Sequence, residues 1–310
     1  MKPTKPSDEP IQRVPEMLAQ PRVQDAPDGG LELHAPAKIN LNLLVGRRRD
    51  DGCHDVDSYV AKITLYDRIR LAPRQDGQVR LSCTGIDCGP AESNLAMRAA
   101  RLLGAGRADL GADILLDKRI PAGAGLGGGS SDAAAVLWGL DRLWGLRLAL
   151  DYLAQPAAQL GSDVPLFLGG PSCRMRGRGE RITPADIQPF FALLILPPLL
   201  CPTPAVYRAF DAAVPPVDRQ LPANLLADRP PSAWRDRLVN HLGAPARAVC
   251  PPLGELWDRL SGDLPAPVHL TGSGSALFVL CDDAEEARSV AAQVPADLRS
   301  HGVMVRANPW

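Results

Sequence analysis

One stretch of twelve residues, PAGAGLGGGSSD at 121–132, constrains this chain more than any other. Its glycines fall at 123, 125, 127, 128 and 129, five within seven residues. Without Cβ atoms, a backbone of this kind can crowd its N–H groups around an anion and visit conformations closed to other residues. The apolar run ADILLDKRI (112–120) before it predicts a strand, and the periodicity after it predicts a helix over 129–144. A glycine loop that opens a helix adds orphan N–H donors and the positive end of the helix dipole. Ser130 and Ser131 add hydroxyls suited to phosphate oxygens or to a metal-bound water. A bare tight turn needs far fewer glycines, so the loop predicts phosphate binding.

The identity of the phosphate ligand is less direct. Gly123, Gly125 and Gly128 satisfy G-x-G-x-x-G, and Asp151 follows 23 residues after Gly128, so a nicotinamide-dependent dehydrogenase competes. That fingerprint normally opens a βαβ unit, whereas here four strand-like segments precede it. The Ser-Ser-Asp that follows suits a nucleoside triphosphate with Mg²⁺ better than a dinucleotide. No G-x-x-x-x-G-K-[ST] is present, so the loop is not of the Walker type.

Three more motifs stand out. PAKIN (36–40) puts Lys38 and Asn40 on one face of an apolar strand. A lysine there is costly unless an anion meets it; an edge strand in solvent is the plainer reading. GSDVP (161–165) places Asp163 between a helix and an apolar run, where it either caps a turn or does chemistry. LTGSGS (270–275) is a second Gly/Ser loop leaving a strand. Only five residues in the chain are Lys, at 2, 5, 38, 62 and 118, against 29 Arg, so a lysine inside a sharp motif carries weight.

Composition narrows the class. Lys plus Arg is 34 and Asp plus Glu 35, a net charge of −1, which excludes a broadly basic nucleic-acid binder. The longest apolar run, 190–200, has 11 residues and two prolines, well under the roughly 20 needed to span a bilayer. The first ten residues hold no secretory apolar core. Seven cysteines without CxxC or Cys/His pairing predict reduced thiols and a cytoplasmic protein. Oligomeric state leaves no mark in the sequence.

The Pro-rich residues 1–30 predict a disordered leader, with order starting at Leu31. Strands are expected over 31–45, 58–71, 78–84 and 112–120, and a helix capped by Ser93 or Asn94 to Leu103. Two helical stretches over 149–160 are expected to break at Pro156. Beyond 172 come strand-like segments, a mainly helical 205–262, strands at 267–271 and 275–281, a helix over 284–294 and a last strand at 301–306. The boundary between an N-terminal and a C-terminal domain is expected near 185.

Taken in order, PAKIN, GLGGGSSDAA, GSDVP and TGSGS resemble the superfamily of galactokinase, homoserine kinase, mevalonate kinase and phosphomevalonate kinase. Within it the wording is similar to the 4-diphosphocytidyl-2-C-methyl-D-erythritol kinase family, over about 33–308. Ser93-Asn94-Leu95, 117–121 (DKRIP), Gly179-Glu180 and Pro202-Thr203-Pro204 match as well.

The resemblance implies an α+β, two-domain fold. Its first domain is like ribosomal protein S5 domain 2, its second is ferredoxin-like, and the site lies between them. It implies ATP as co-substrate with Mg²⁺ and a small-molecule acceptor, phosphorylated on the 2-hydroxyl of its methylerythritol part in the non-mevalonate isoprenoid route. Lys38 and Asp163 are then catalytic. Pro121, Ala122, Gly123, Ala124, Gly125, Leu126, Gly127, Gly128, Gly129, Ser130 and Ser131 bind ATP, and Asn40, His54, Thr203 and Tyr207 meet the substrate. The chain departs from the family where Asp-Gly-Tyr-His becomes Asp51-Gly52-Cys53-His54, which removes one aromatic wall for cytosine, and at Asn240-His241, where the family tends to Asn-Asp. Tyr207 matches the second wall. A related small-alcohol kinase with a shifted substrate is the alternative these departures raise.

Overall fold

The structure, a computed structural model, describes residues 12–13, 23–27, 29–213 and 223–307. In chain order its strands are β1 (Gln12–Arg13), β2 (Gln24–Asp25), β3 (Leu31–Asn40), β4 (Leu44–Arg48), β5 (His54–Arg74), β6 (Val79–Gly85), β7 (Gly111–Lys118), β8 (Ser172–Gly177), β9 (Arg181–Pro184), β10 (Phe191–Ile195), β11 (Val268–Leu270), β12 (Leu277–Cys281) and β13 (Gly302–Arg306). Its α-helices are α1 (Leu95–Leu103), α2 (Gly128–Leu143), α3 (Leu150–Leu160), α4 (Val164–Leu168), α5 (Thr203–Asp211), α6 (Ala223–Asp228), α7 (Gly243–Val249), α8 (Pro251–Asp263) and α9 (Ala284–Gln293).

The 21-residue β5 is the spine of the first sheet, ordered β2-β3-β5-β7-β6, with β4 and the β8–β9 hairpin also held through β5. β5 reaches this length because it serves two cores: Ile69 and Leu71 are buried under helices α1, α2 and α3, and Tyr59, Ala61, Ile63 and Leu65 in a core shared with a second sheet. β3 pairs antiparallel with β5, and a register shift between Pro36 and Ala37 sets Lys38 opposite Lys62. Proline cannot donate to the ladder, so the irregularity falls where it does.

The second sheet is ordered β1-β13-β10-β12-β11. Read from β10 onward, its last four positions are the fourth, first, third and second strands of a β-α-β-β-α-β chain, the ferredoxin-like arrangement. Leu193 and Ile195 of β10 and Leu277, Val279 and Cys281 of β12 pack on the helical side, while Ala192, Leu194, Phe278 and Leu280 join a core shared with β3 and β5 of the first sheet. That shared apolar core, with Trp234 and Phe190 in edge-to-face contact, seats the two sheets against each other.

Three expectations need correction. Strand β2 pairs with the start of β3, and Asp25 is 2.8 Å from Arg142, so paired structure begins before Leu31. The rest of the leader reading, over 1–11, 14–22 and 28, lies outside the described residues. Helix α3 runs through Pro156 without a break. An interior proline costs about 3 kcal/mol, but Leu153, Ala157 and Leu160 are buried together in the first core, and burial of a leucine returns about 1.5–3 kcal/mol. Finally, Cys83 within β6 is bonded as a disulfide to Cys88, just after the strand, where reduced thiols were expected; Cys53, Cys173, Cys201, Cys250 and Cys281 are free. No helix among the described residues is long and apolar enough to cross a membrane.

Candidate active site

A cavity of about 880 Å³ opens where the two sheets meet. The glycine loop forms one wall and the 271–274 turn closes it from the other sheet. Gly123, Gly125 and Gly127 all have positive φ, at 69°, 77° and 71°. At Gly125 a Cβ would lie 2.2 Å from the Thr271 carbonyl oxygen, so the two loops approach closer than any side chain permits. At Gly127 a Cβ would lie 3.0 Å from the Phe167 ring and 3.1 Å from Lys38 Cγ. Two backbone bonds lock the loop in place: Lys38 N–H donates to Leu126 O (2.9 Å) and Ala276 N–H to Ala124 O (3.1 Å). The helix α2 begins at Gly128, with its dipole and free N–H groups directed into the cavity wall. The Ser131 hydroxyl and Asp132 Oδ1 are buried there without a partner.

Lys38 and Asn40, on one face of β3, are both 4% exposed. Lys38 Nζ donates to Asn40 Oδ1 (2.6 Å) and stands 3.7 Å from Asp163 Oδ2. Asn40 is oriented in turn, because its amide donates to Ser58 Oγ (2.7 Å) and its backbone N–H to Thr271 Oγ1 (3.0 Å). Burial lowers the pKa of Lys38 below the ordinary lysine value, and Asp163 opposes that shift. Asp163 immediately precedes α4, and Pro165 in the first turn lets that helix start without an N–H. The edge-strand reading of Lys38 therefore does not hold.

Beneath the loop lies a buried charge cluster. Lys118 Nζ bonds Asp67 and, at 2.7 Å, Asp132 Oδ2. Asp67 Oδ1 also accepts the backbone N–H groups of Arg119 (2.6 Å) and Ile120 (2.8 Å), which fixes the chain entering the loop. Burial pushes Asp132 up to about 8; Lys118 pulls it down and the Asp67 charge pushes it up further. A Cβ at Gly128 would sit 2.9 Å from Lys118 Nζ, so the cation abuts the first turn of α2.

The far end of the cavity holds Cys53, His54, Tyr207 and Asp211. His54 Nδ1 meets Gly46 O (2.9 Å), its Nε2 lies 3.2 Å from Asp211 Oδ1, and its ring is tilted on Tyr207 at 5.2 Å between centroids. Cys53 is exposed and its N–H donates to Asp51 Oδ1 (3.0 Å). Thr203 opens α5 at the cavity edge and bonds Ser273 of the opposing turn at 2.8 Å. All the residues singled out from sequence line this cavity except Ser131, which lies just behind it.

The structure brings to the site residues to which sequence reasoning assigned no role there. Thr271, Ser58 and the Lys118–Asp67–Asp132 cluster position others, and Arg48, Arg178 and Arg208 line the cavity. The scarcity of lysine was the available signal for Lys118 and also for Lys62: both are buried, as Lys38 is. The dinucleotide alternative fails on topology. Asp151, which would have to end a second parallel strand, lies in the first turn of α3 instead.

The arrangement provides a cradle for phosphates, a buried cation beside a carboxylate, and a polar and aromatic pocket. Comparison with known proteins gives the same class. Residues 94–170 match the N-terminal domain model of the GHMP kinases and residues 231–300 the C-terminal one. A 4-diphosphocytidyl-2-C-methyl-D-erythritol kinase of Xanthomonas euvesicatoria is 39% identical over 267 residues, covering 86% of this chain and 87% of the relative. That of Chromohalobacter salexigens is 40% identical over 253 residues, 80% of this chain and 82% of the relative. A crystal structure of 4-(cytidine 5'-diphospho)-2C-methyl-D-erythritol kinase superposes with a TM-score of 0.74 at 37% identity, over 89% of this chain and 99% of that one. A homoserine kinase from Cytophaga hutchinsonii, 17% identical, shares the fold with a TM-score of 0.67, over 92% of this chain and 96% of that one.

Proposed function

This chain belongs to the 4-diphosphocytidyl-2-C-methyl-D-erythritol kinases among the GHMP kinases, and from that premise we propose how its cleft works. The protein transfers the γ-phosphoryl group of ATP to the 2-hydroxyl of the methylerythritol part of its substrate. In our reading the acceptor hydroxyl faces Asp163, whose carboxylate takes the proton as the oxygen attacks. The new bond joins that oxygen to the γ-phosphorus, the bond to the β,γ-bridging oxygen breaks, and ADP leaves. Lys38, 3.7 Å from Asp163, keeps the base ionised and offsets negative charge between acceptor and phosphate. Asn40 orients Lys38 and closes the acceptor pocket.

Residues 121–131 take the phosphates of ATP on backbone N–H groups and on the dipole of α2. The cradle and the unpartnered Ser131 hydroxyl fit a magnesium–nucleotide complex. Mg²⁺ would be held through the phosphates beside Ser130 and Ser131, where it supplies charge neutralisation. Phosphoryl transfer asks mainly for positioning and charge stabilisation, so a site without a protein nucleophile suffices. His54, Thr203 and Tyr207 hold the cytidine end, with Tyr207 stacking on the base.

The observation that carries this reading is the meeting of the Lys38–Asp163 pair, the glycine loop and the His54–Tyr207 pocket in one cavity. The test is ADP release with the cytidylated substrate against its non-cytidylated and non-phosphorylated analogues. Turnover confined to the cytidylated compound is expected. Faster turnover of a simple alcohol would favour the shifted-substrate alternative.

A further inference from the structure

Helix α4 is five residues long, too short to hold itself in place, since an isolated helix needs about 12–15 residues to be even marginal in water. Two lysines meet its two ends. At the front, Lys38 faces Asp163, the residue just before the helix. At the back, Lys62 Nζ donates to the carbonyl oxygens of Phe167 (3.2 Å) and Gly169 (2.7 Å). These lysines are directly opposite each other on β3 and β5, so one rung of the first sheet grips both ends of the helix.

Several features fit a positioning device. Burial lowers Lys62 to about 7, so its amine holds the last free carbonyls by hydrogen bonds whether or not it is charged, and when protonated it also meets the negative end of the helix dipole. Lys62 is 2% exposed, and its backbone N–H donates to Pro171 O (2.9 Å), so strand and helix exit are joined twice. Its ammonium also stands 5.9 Å from the centroid of the Phe167 ring. The same ring meets Gly127 of the phosphate loop, where a Cβ would come within 3.0 Å of it. Cys173, pushed up to about 11 by burial, stays a neutral thiol beside these lysines. Nothing in the proposed chemistry uses Lys62, yet burying a lysine is costly unless its charge is met.

We propose that Lys62 is a positioning residue for phosphoryl transfer, acting through α4. By fixing the carbonyl end of the helix, it sets the distance and direction of Asp163 relative to Lys38 and the glycine loop. The inference rests on the kinase reading given above. It predicts a loss confined to the chemical step, because Lys62 touches neither substrate. A displacement of about 1 Å at a reacting group costs on the order of 10²-fold in rate.

The experiment compares Lys62→Met and Lys62→Gln in the wild-type and Asp163→Asn backgrounds, with the full chain, ATP and the cytidylated substrate. Wild-type turnover, measured first, tests the kinase reading alone. Lys62→Met is expected to lower kcat about 10- to 100-fold with both KM values within about twofold. Lys62→Gln, which keeps two N–H donors, should recover most of that loss. In the Asp163→Asn background either change should cost less than about twofold, because the group being positioned is already gone. Equal factors in both backgrounds, an unchanged kcat, or a loss confined to KM for ATP would each overturn the proposal. If Lys62→Met does not fold, the Lys62→Gln pair decides, with a smaller kcat loss in the wild-type background and none with Asp163→Asn. Amide hydrogen exchange over 164–168 reads the same device without substrate. Faster exchange there on loss of the ammonium is expected, and unchanged protection contradicts the tether.

Discussion

Substituting Gly125 by alanine puts the join between the two sheets under direct strain. Gly125 has φ of +77°, a conformation that costs an alanine about 1–2 kcal/mol. Its new Cβ would also begin 2.2 Å from the Thr271 carbonyl oxygen and 3.3 Å from Gly274 N. Reaching ordinary contact requires the two loops to part by about 1 Å, and a shift of that size at a catalytic site costs on the order of 10²-fold. Gly123 is the control. It has φ of +69°, but a Cβ there meets only Leu200 Cδ2, at 3.5 Å. Gly123→Ala therefore carries the backbone term without the steric one. Gly129 lies inside α2, where a Cβ would meet only Leu95 at 3.6 Å, so Gly129→Ala should hold or gain stability, by up to about 1 kcal/mol. The assay is kcat/KM for ATP and the melting temperature of each variant. Gly125→Ala should lose about 10²-fold in kcat/KM and melt several degrees lower. Gly123→Ala should fall between it and the wild type, and Gly129→Ala should melt no lower than the wild type. Indistinguishable Gly125→Ala and Gly123→Ala proteins would refute the close approach of the two loops.

Further outcomes follow from the same geometry. Lys38→Met should lower kcat by about 10²–10⁴-fold and should not add to Asp163→Asn, because the two act as a unit; a double variant losing the product of both factors contradicts this. Burial lowers Lys38 while Asp163 opposes the shift, so activity should fall on the alkaline side before pH 10.5, and earlier in residual Asp163→Asn turnover; a limb at or above 10.5 contradicts either the lowering of Lys38 or the need for its charge. Asp132, at about 8 in the fold and near 3.9 when unfolded, holds an extra proton between those values. Its contribution is therefore complete below about pH 4 and lost as pH rises through 8. Asp132→Asn should flatten the fall in melting temperature between pH 5 and 9, and parallel curves would show that Asp132 does not titrate there. Cys53→Tyr should lower KM for the cytidylated substrate about 5- to 100-fold and leave KM for ATP alone, while Tyr207→Ala should raise it by a similar factor, since a base–aromatic stack is worth about 1–3 kcal/mol. No change in either variant would place the base elsewhere.

Local chemistry made the elements around the site legible. The Asn94 cap, which accepts from Ala96 N–H, and the glycine loop between a strand and a helix follow from hydrogen-bonding need and backbone freedom. Lys38, Asn40 and Asp163 stood out because polar residues in apolar runs must find partners. What stayed hidden depends on pairings distant in sequence. Nothing near Lys62 announces that a register shift at Pro36 sets it opposite Lys38, or that the end of α4 returns to it 105 residues later. Asp67 and Lys118 meet only once β5 and β7 pair, 51 residues apart. Pro156 was misjudged for a related reason: a local rule favoured a break, and burial of Leu153 and Leu160 in a core built by other helices outweighed it.

Asp163→Asn tests most directly whether Asp163 is the group that takes the acceptor proton. Single-turnover transfer from ATP to the cytidylated substrate, followed by ADP formation, should slow about 10²–10⁴-fold in that variant. ATP should bind as tightly as in the wild type, because residues 121–131, and not Asp163, hold its phosphates in this reading. Near-normal transfer in Asp163→Asn contradicts the assignment, and so does a loss that disappears once ATP is saturating.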